Sequence, residues 1–212
     1  MGIASDFQIY HDGTHNYIKR TTSADTKIIQ NGNFLVQSLA GETILRGLQN
    51  AQVDLWYNNS KKIETISTGA SVYGGLRFQG GGLIRENLNI SATALNSDKV
   101  INLTDGMVHY RSSAVGAANV KLNVISSAGI NTDLAIGDAM SVTLITAAGS
   151  ASHYVDQIRI DGVEASAGVT THWVGGSAPT DGGASGVDTY AFNILKTGNA
   201  AYLVVANKVA TS

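Results

Sequence analysis

The stretch from Val53 to Ile63, which reads VDLWYNNSKKI, decides the fold of this chain. Apolar residues stand two positions apart before Asn58-Asn59 and reappear after it. Strand side chains alternate between faces and a tight turn needs residues that tolerate positive φ, so the stretch predicts a β-hairpin. Phe7 to Tyr17, FQIYHDGTHNY, aligns with it without a gap and carries Asp12-Gly13 at the turn. A repeated hairpin must bury its apolar face against a neighbour or another chain, which indicates a fibrous or oligomeric β structure.

Composition excludes several classes of function. Hydrophobic residues make up 43% of the chain and charged residues only 14%, against about 25% in ordinary soluble domains. Such a surface suits an extracellular or virion protein better than a cytosolic enzyme, and a net charge of -2 predicts no nucleic-acid binding. The chain has no Cys and no apolar run long enough to span a membrane, and Met1–Asp6, which has neither a basic nor an apolar region, predicts no secretion signal.

Residues 1–85 are interpreted as a repetitive β stalk. A hairpin is predicted around Asn31-Gly32, a strong turn signal between apolar runs. Glu42–Gln52 has the spacing of a helix, but Gly47 interrupts it, so a turn of helix or an irregular crossover is expected. The strands predicted here, besides those of the two repeats, are Ile28–Gln30, Phe34–Val36, Ile63–Ile66 and Val72–Tyr73.

A glycine-rich stretch at Gly74-Gly75 and Gly80–Gly82 marks a break in composition. We predict a linker at 86–93 and a C-terminal β-sandwich at 94–212, antiparallel and jelly-roll-like, because longer alternating strands are separated by regular turn signals. The fold class is therefore all-β. The predicted strands of this domain are Val120–Ile125, Met140–Ile145, Gln157–Val163, Tyr190–Leu195 and Tyr202–Ala206, with Lys196–Asn199 as the last hairpin turn.

The repeat also resembles tail-fibre and related structural proteins of tailed phages, especially marine and cyanobacterial ones. The residues that carry this resemblance are Ile9–Gly13 with Tyr17-Ile18, and Leu55–Thr65 with Ser67–Gly69. A second set resembles a domain found at the C-termini of phage structural proteins: Ala135–Asp138, Ile160–Gly162, Trp173–Pro179 and Asp188–Thr197. The resemblance implies a homotrimeric fibre, either a short one or the distal fragment of a longer one, with other virion proteins and a host receptor as partners.

No catalytic or metal-binding pattern is visible in the sequence. The chain has 16 carboxylates, but Asp12, Asp105 and Asp161 stand in predicted turns, where Asp bonds the backbone. His-x-His and His-Glu-x-x-His are absent. We therefore predict no enzyme, metal site or cofactor, although a pair of carboxylates on neighbouring strands stays open.

Trp173 is the best sequence candidate for recognition. It stands beside His172 and before a glycine-rich loop, Gly175–Gly186, and aromatic faces stack on sugar rings while loops carry binding residues. Asp181 and Asp188 join it as candidate binding residues. The alternative is that Trp173 plugs one end of the sandwich core.

Three functions follow from these patterns. The leading prediction is a non-enzymatic tail fibre or receptor-binding protein in the virion, assembled in the host cytoplasm, that attaches to a host receptor such as a glycan. It would be a homotrimer that buries Tyr10, Phe34, Leu35 and Trp56 around its axis. The alternatives are a capsid head fibre or decoration protein, and a glycan depolymerase.

Overall fold

The chain is all-β, with 51% of residues in strands and 4% in helices. It divides into two compact units, residues 1–82 and 83–212. No helix in the described part is long and apolar enough to cross a membrane. The computed structural model describes residues 7–20, 27–29, 31–67, 69–77, 84–96, 99–116, 119–164 and 167–211.

The first repeat forms the predicted hairpin. Strands β1 (Phe7–His11) and β2 (Asn16–Arg20) pair antiparallel. Asp12 holds the turn, because its Oδ1 accepts hydrogen bonds from the backbone N–H groups of Thr14 and His15 at 2.9 and 2.8 Å. Gly13 supplies a φ of 98°. The repeat motif is therefore a local structure that its own turn residues specify.

The second repeat lies in a five-stranded antiparallel sheet. Its strands follow one another in chain order, and Asn58 and Asn59 take φ values of 50° and 57° in the tight turn between the third and fourth. This is the turn that the sequence predicts. The strands are β3 (Phe34–Gln37), β4 (Thr43–Gly47), β5 (Val53–Tyr57), β6 (Ser60–Ile66) and β7 (Gly69–Val72).

Two local predictions in this unit are wrong. Glu42–Gln52 contains β4 instead of a helical turn, because β3 and β5 pair with it on both sides and satisfy its backbone. The expected hairpin around Asn31-Gly32 is also absent, since residues 27–29 form no strand and β3 pairs with β4. Gln30, Thr68 and Gly80–Gly82 lie outside the described residues.

The second unit begins with a short parallel spiral. Six strands alternate between two sheets, and each of the last four pairs in parallel with the strand two places earlier. Three coils are stacked in this way, each with one strand in either sheet. The strands are β8 (Leu88–Ser91), β9 (Lys99–Asn102), β10 (Val108–Arg111), β11 (Val120–Ile125), β12 (Ala139–Ala147) and β13 (Val155–Ile160); a one-turn helix, α1 (Ile130–Asp133), precedes β12.

A long hairpin closes the larger sheet. Strands β15 (Val187–Gly198) and β16 (Ala201–Ala210) pair antiparallel, and β15 pairs antiparallel with β12. Strand β14 (Val169–Trp173) lies at the edge, parallel to β16. The six-stranded sheet thus has the order β14-β16-β15-β12-β10-β8, and the smaller sheet has the order β13-β11-β9.

The predicted antiparallel jelly roll is right in part. Two sheets and the hairpin at Lys196–Asn199 are present, but five of the strand pairings in this unit are parallel. Alternation of apolar residues specifies which face of a strand is buried and not the direction of its neighbour. Strand β13 ends at Ile160, with Asp161-Gly162 as a turn. The expected linker at 86–93 contains the edge strand β8.

Both sheets contribute to one apolar core in the second unit. Val120, Leu122 and Val124 alternate inward from the small sheet, and Val142, Leu144 and Phe192 do so from the large one. The Val155 N–H donates a hydrogen bond to the Tyr190 hydroxyl at 3.1 Å and so links the two sheets. The other fully buried apolar residues are Leu95, Ile101, Val115, Ile130, Ile158, Ile160, Val169, Ile194, Tyr202, Val204 and Ala206.

Candidate functional site

A cleft of about 670 Å³ lies along β13 and β14, the edge strands of the two sheets in the second unit. We call it the β13–β14 cleft. Edge strands leave one side of the backbone unpaired, so the cleft is open to solvent on that side. It is lined by Lys121, Asp156, Gln157, Ile158, Arg159, Glu164, Thr171, His172, Trp173, Gly176, Ser177 and Ala178.

A β-bulge positions Asp156 in this cleft. Val120 pairs with Val155, but the next residue, Lys121, pairs with Gln157, so Asp156 is the extra residue of β13. A bulge changes the direction of one side chain, and the residues after it stay on the faces that their pairing with the neighbouring strand requires. Ile158 and Ile160 accordingly remain in the core.

The Asp156 carboxylate is only partly satisfied. Its Oδ1 is buried and accepts no hydrogen bond within the described residues. Burial raises the pKa of Asp156, while a hydrogen bond from its own backbone N–H and then the charge of Lys121 oppose that rise. A buried acceptor without a partner costs stability, and the bulge places this one beside the cleft.

Trp173 combines a core contact with a place in the cleft. Trp173, Ala206 and Phe192 are cross-strand neighbours on one face of the large sheet. The small Ala206 side chain leaves room for the indole to reach Phe192, with ring centroids 6.2 Å apart and planes at 76°. Trp173 is partly buried, and it packs on the core while it also lines the cleft.

The charges of the cleft are balanced. Arg159 forms an ion pair with Glu164, and Lys121 lies near Asp156. Two basic and two acidic side chains therefore line the cleft. This balance gives no net field that would attract a strongly charged ligand.

The chain matches no known family, no curated protein and no solved structure. Within the part of the chain that the structure describes, no three His, Asp or Glu side chains are grouped as a metal would need. The site is therefore interpreted from its own geometry.

The four candidate residues from the sequence lie in different places. Trp173 and His172 both line the cleft, although His172 is exposed and strand alternation directs it to the opposite face from Trp173. Asp181 and Asp188 belong to a cluster with Lys208, whose Nζ lies 3.9 and 3.8 Å from their carboxylates. Neither of these carboxylates lines the cleft.

Asp188 has a structural position. Its side chain is 1% exposed, and both carboxylate oxygens accept a hydrogen bond from the Gly183 N–H, at 3.0 and 2.9 Å. It thereby holds the glycine-rich loop against β15. Sequence reasoning missed Lys121, Asp156, Arg159 and Glu164, because ordinary charged residues on strands carry no signal of a bulge or a cleft.

The five-stranded sheet of the first unit has one apolar face. Cross-strand neighbours form a row through all five strands: Val36, Leu45, Leu55, Ile63 and Val72. Four of these five side chains are 38% to 42% exposed. Phe34 and Val53 flank the row, and we call the whole surface the apolar face.

The opposite face of this sheet carries a cluster of charged residues, with Leu35 and Ile66 exposed beside it, and we call it the polar face. Asp54 is fully buried there, where it accepts hydrogen bonds from Arg46 Nε and Nη2 at 2.9 and 2.6 Å and lies 3.3 Å from Lys61. Burial alone would raise the pKa of Asp54, but the bonds from Arg46 and Lys61 outweigh it and lower the pKa. Trp56 lies beneath the same two cations, 5.5 and 5.9 Å from its ring centre.

This arrangement corrects the expected trimer contacts. Trp56 and Leu35 were expected on the apolar face, but both lie on the polar face, since Trp56 packs on Arg46 and Leu35 pairs with Arg46. Phe34 lies on the apolar face as predicted, opposite Gly47. Tyr10 stacks on Tyr17 within the first hairpin, with centroids 4.8 Å apart.

Proposed function

We propose that this chain is a non-enzymatic attachment protein of a phage virion, a homotrimeric tail fibre or receptor-binding protein. Its first unit would join the chains and its second unit would meet the host surface. The resemblance of the hairpin repeat and of the C-terminal motifs to phage structural proteins supports the virion location. Capsid attachment, as a head fibre or decoration protein, is the alternative within the same class.

The apolar face is the observation that carries this proposal. A sheet needs a second layer over its apolar side, and Asp54 is the only fully buried side chain among the described residues of the first unit. Two further copies of the chain supply such layers, because apolar faces that turn towards a three-fold axis bury one another. Full burial of each of these partly exposed side chains would stabilise the assembly by about 0.5–1 kcal/mol. Three copies would cover three such faces around an axis.

Two neighbouring residues on β3 test the self-association. Val36 lies on the apolar face and Leu35 on the polar face, and they are 40% and 46% exposed. We expect Val36→Asp to dissociate the trimer, because a charge would be buried at the interface. The matched variant Leu35→Asp should remain trimeric. Analytical ultracentrifugation at micromolar concentration measures both.

A well-folded monomeric wild-type chain at that concentration would contradict the proposal. So would equal dissociation of the two variants, because an interface on the apolar face distinguishes Val36 from Leu35.

Location is tested on the particle itself. Gold-labelled antibody raised against the chain should bind the tail if the protein is a tail fibre, and the capsid if it is a head fibre. Particles that bear no label would refute virion location. Release of sugar from host envelope by the purified chain would instead identify a depolymerase.

A further inference from the structure

We infer that the β13–β14 cleft binds a neutral saccharide, with Trp173 beneath the sugar ring and Asp156 as hydrogen-bond acceptor for its hydroxyl groups. This inference rests on the proposed function, since it names the chemical class of the receptor. A single sugar offers both an apolar face and several hydroxyl donors, and the cleft has a counterpart for each.

The size of the cleft suits a short oligosaccharide. Its volume of about 670 Å³ lies within the range of about 300–1,000 Å³ that is typical of small-ligand sites. Its open side along the edge strands leaves room for the remaining units of a longer saccharide to extend into solvent.

Trp173 gives the cleft an aromatic wall that is held in place. The edge contact with Phe192 and the packing on the core restrict the indole before any ligand arrives. A restrained aromatic side chain loses little conformational entropy on binding, which favours affinity. The axial C–H groups of a sugar ring provide the flat apolar surface that packs on such a ring.

The Asp156 carboxylate gives the cleft a hydrogen-bond acceptor. Its Oδ1 is closed to solvent, so a sugar hydroxyl would bond the part of the carboxylate that lines the cleft. Lys121 and Gln157, neighbours across β11 and β13, also line the cleft and add donors for sugar oxygens. A ligand without hydroxyl groups would leave these polar groups unpaired, so the site selects against it.

The balance of charge argues for a neutral sugar. Lys121 and Arg159 are matched by Asp156 and Glu164 in the lining. A phosphate or a uronic acid would meet two carboxylates together with two cations, and it would gain no net attraction. A neutral, hydroxyl-rich ring is not repelled by either pair of charges and can form hydrogen bonds with both.

The chain contains two tryptophans, which provide a built-in control. Full-length protein labelled with 5-fluorotryptophan gives one 19F signal from Trp173 in the cleft and one from Trp56 in the other unit. Maltotetraose, mannotetraose and galactotetraose serve as neutral probes, and tetragalacturonate serves as the acidic one. We expect at least one neutral probe to shift the Trp173 signal in a saturable way and to leave the Trp56 signal unchanged.

Matched variants assign the contact. Asp156→Asn keeps the shape of the side chain but replaces one acceptor oxygen by an amide NH2 donor. We expect this variant to bind that probe at least tenfold more weakly. Asp181→Asn removes an exposed carboxylate outside the cleft and should leave the affinity unchanged. Thermal melting of both variants checks that each remains folded.

The inference is wrong if no neutral probe shifts the Trp173 signal at 20 mM, which is about the upper limit of specific millimolar binding. It is also wrong if tetragalacturonate gives the stronger response, or if the two variants bind the neutral probe with equal affinity. These results leave the proposed function intact, because trimerisation and virion location are measured separately. A monomeric chain that still binds the probe would refute the trimer and retain the saccharide site.

Discussion

At the scale of single residues, His109 is a buried base in the core of the second unit. Its Nε2–H donates to the Gly106 carbonyl at 2.9 Å, and its buried Nδ1 has no partner among the described residues. Burial lowers the pKa of His109, and the charge of Arg111 lowers it further, while Asp105 and the Gly106 bond oppose the shift. The folded protein therefore holds this imidazole neutral.

The lowered pKa predicts how stability depends on pH. The unfolded chain binds a proton on His109 below about pH 6.5 and the folded chain does not, so the free energy of unfolding falls as pH drops below that value. The loss reaches at most about 1.4 kcal/mol per pH unit. Chemical denaturation at about pH 7.5 and 5.5 measures the free energy of unfolding at each pH. Both values lie above the ordinary pKa values of carboxylates.

Two glutamine variants isolate the contribution of His109. His109→Gln should show a flatter dependence on pH, since the titrating group is gone. His153→Gln, in which a half-buried histidine bonded to the Val115 carbonyl is replaced, is the comparison variant for loss of a histidine. A wild-type chain equally stable at both pH values would show that His109 is not responsible for any pH effect.

At the scale of elements, the bulge in β13 shows how one extra residue makes a site. Deleting a residue from a strand normally moves every later side chain to the other face. Deletion of Asp156 should instead restore regular alternation, because Gln157 already pairs with Lys121 and Ile158 already faces the core. We therefore expect the bulge to be dispensable for folding and needed for the cleft.

We expect the variant that lacks Asp156 to fold with a loss of about 0.5–3 kcal/mol, the usual range for a single change. Deletion of Asn123 from the neighbouring strand β11 is the matched control, and it should prevent folding because it turns Val124 out of the core. Circular dichroism and thermal melting compare the two. An unfolded Asp156 deletion would show that the bulge is part of the core and not an added functional feature.

At the scale of the whole molecule, the two units differ in how they are stabilised. The second unit has one apolar core built from both of its sheets, whereas the described part of the first unit has an exposed apolar face and a buried aspartate. The second unit should therefore fold alone, and the first should depend on association.

Fragments test this difference. Residues 83–212 should give a cooperative melting transition as an isolated chain, and residues 94–212 should melt a few degrees lower, because they lack the edge strand β8 that pairs with β10. Residues 1–82 alone should melt at a temperature that rises with concentration. An unfolded 83–212 fragment would contradict this division of stability.

The sequence by itself determines two of the hairpins and the faces of most strands. Asp12 specifies its turn through side-chain bonds to the backbone, with Gly13 at positive φ, and Asn58-Asn59 specify theirs by tolerating positive φ. Val120–Ile125 and Tyr202–Ala206 were predictable because alternation along one strand shows which side chains are buried. Each of these features depends on residues close together in the chain.

Only the tertiary structure decides which strands become neighbours. The parallel coils join β8 to β10 and β9 to β11 across long separations, and apolar alternation along a strand is compatible with either direction of pairing. Strand β4 and the packing of Trp56 on the polar face depend on the pairings of the five-stranded sheet, and the bulge at Asp156 depends on the pairing of β13 with β11. The candidate site could therefore not be predicted from the sequence, since its residues come together only after the sheets have formed.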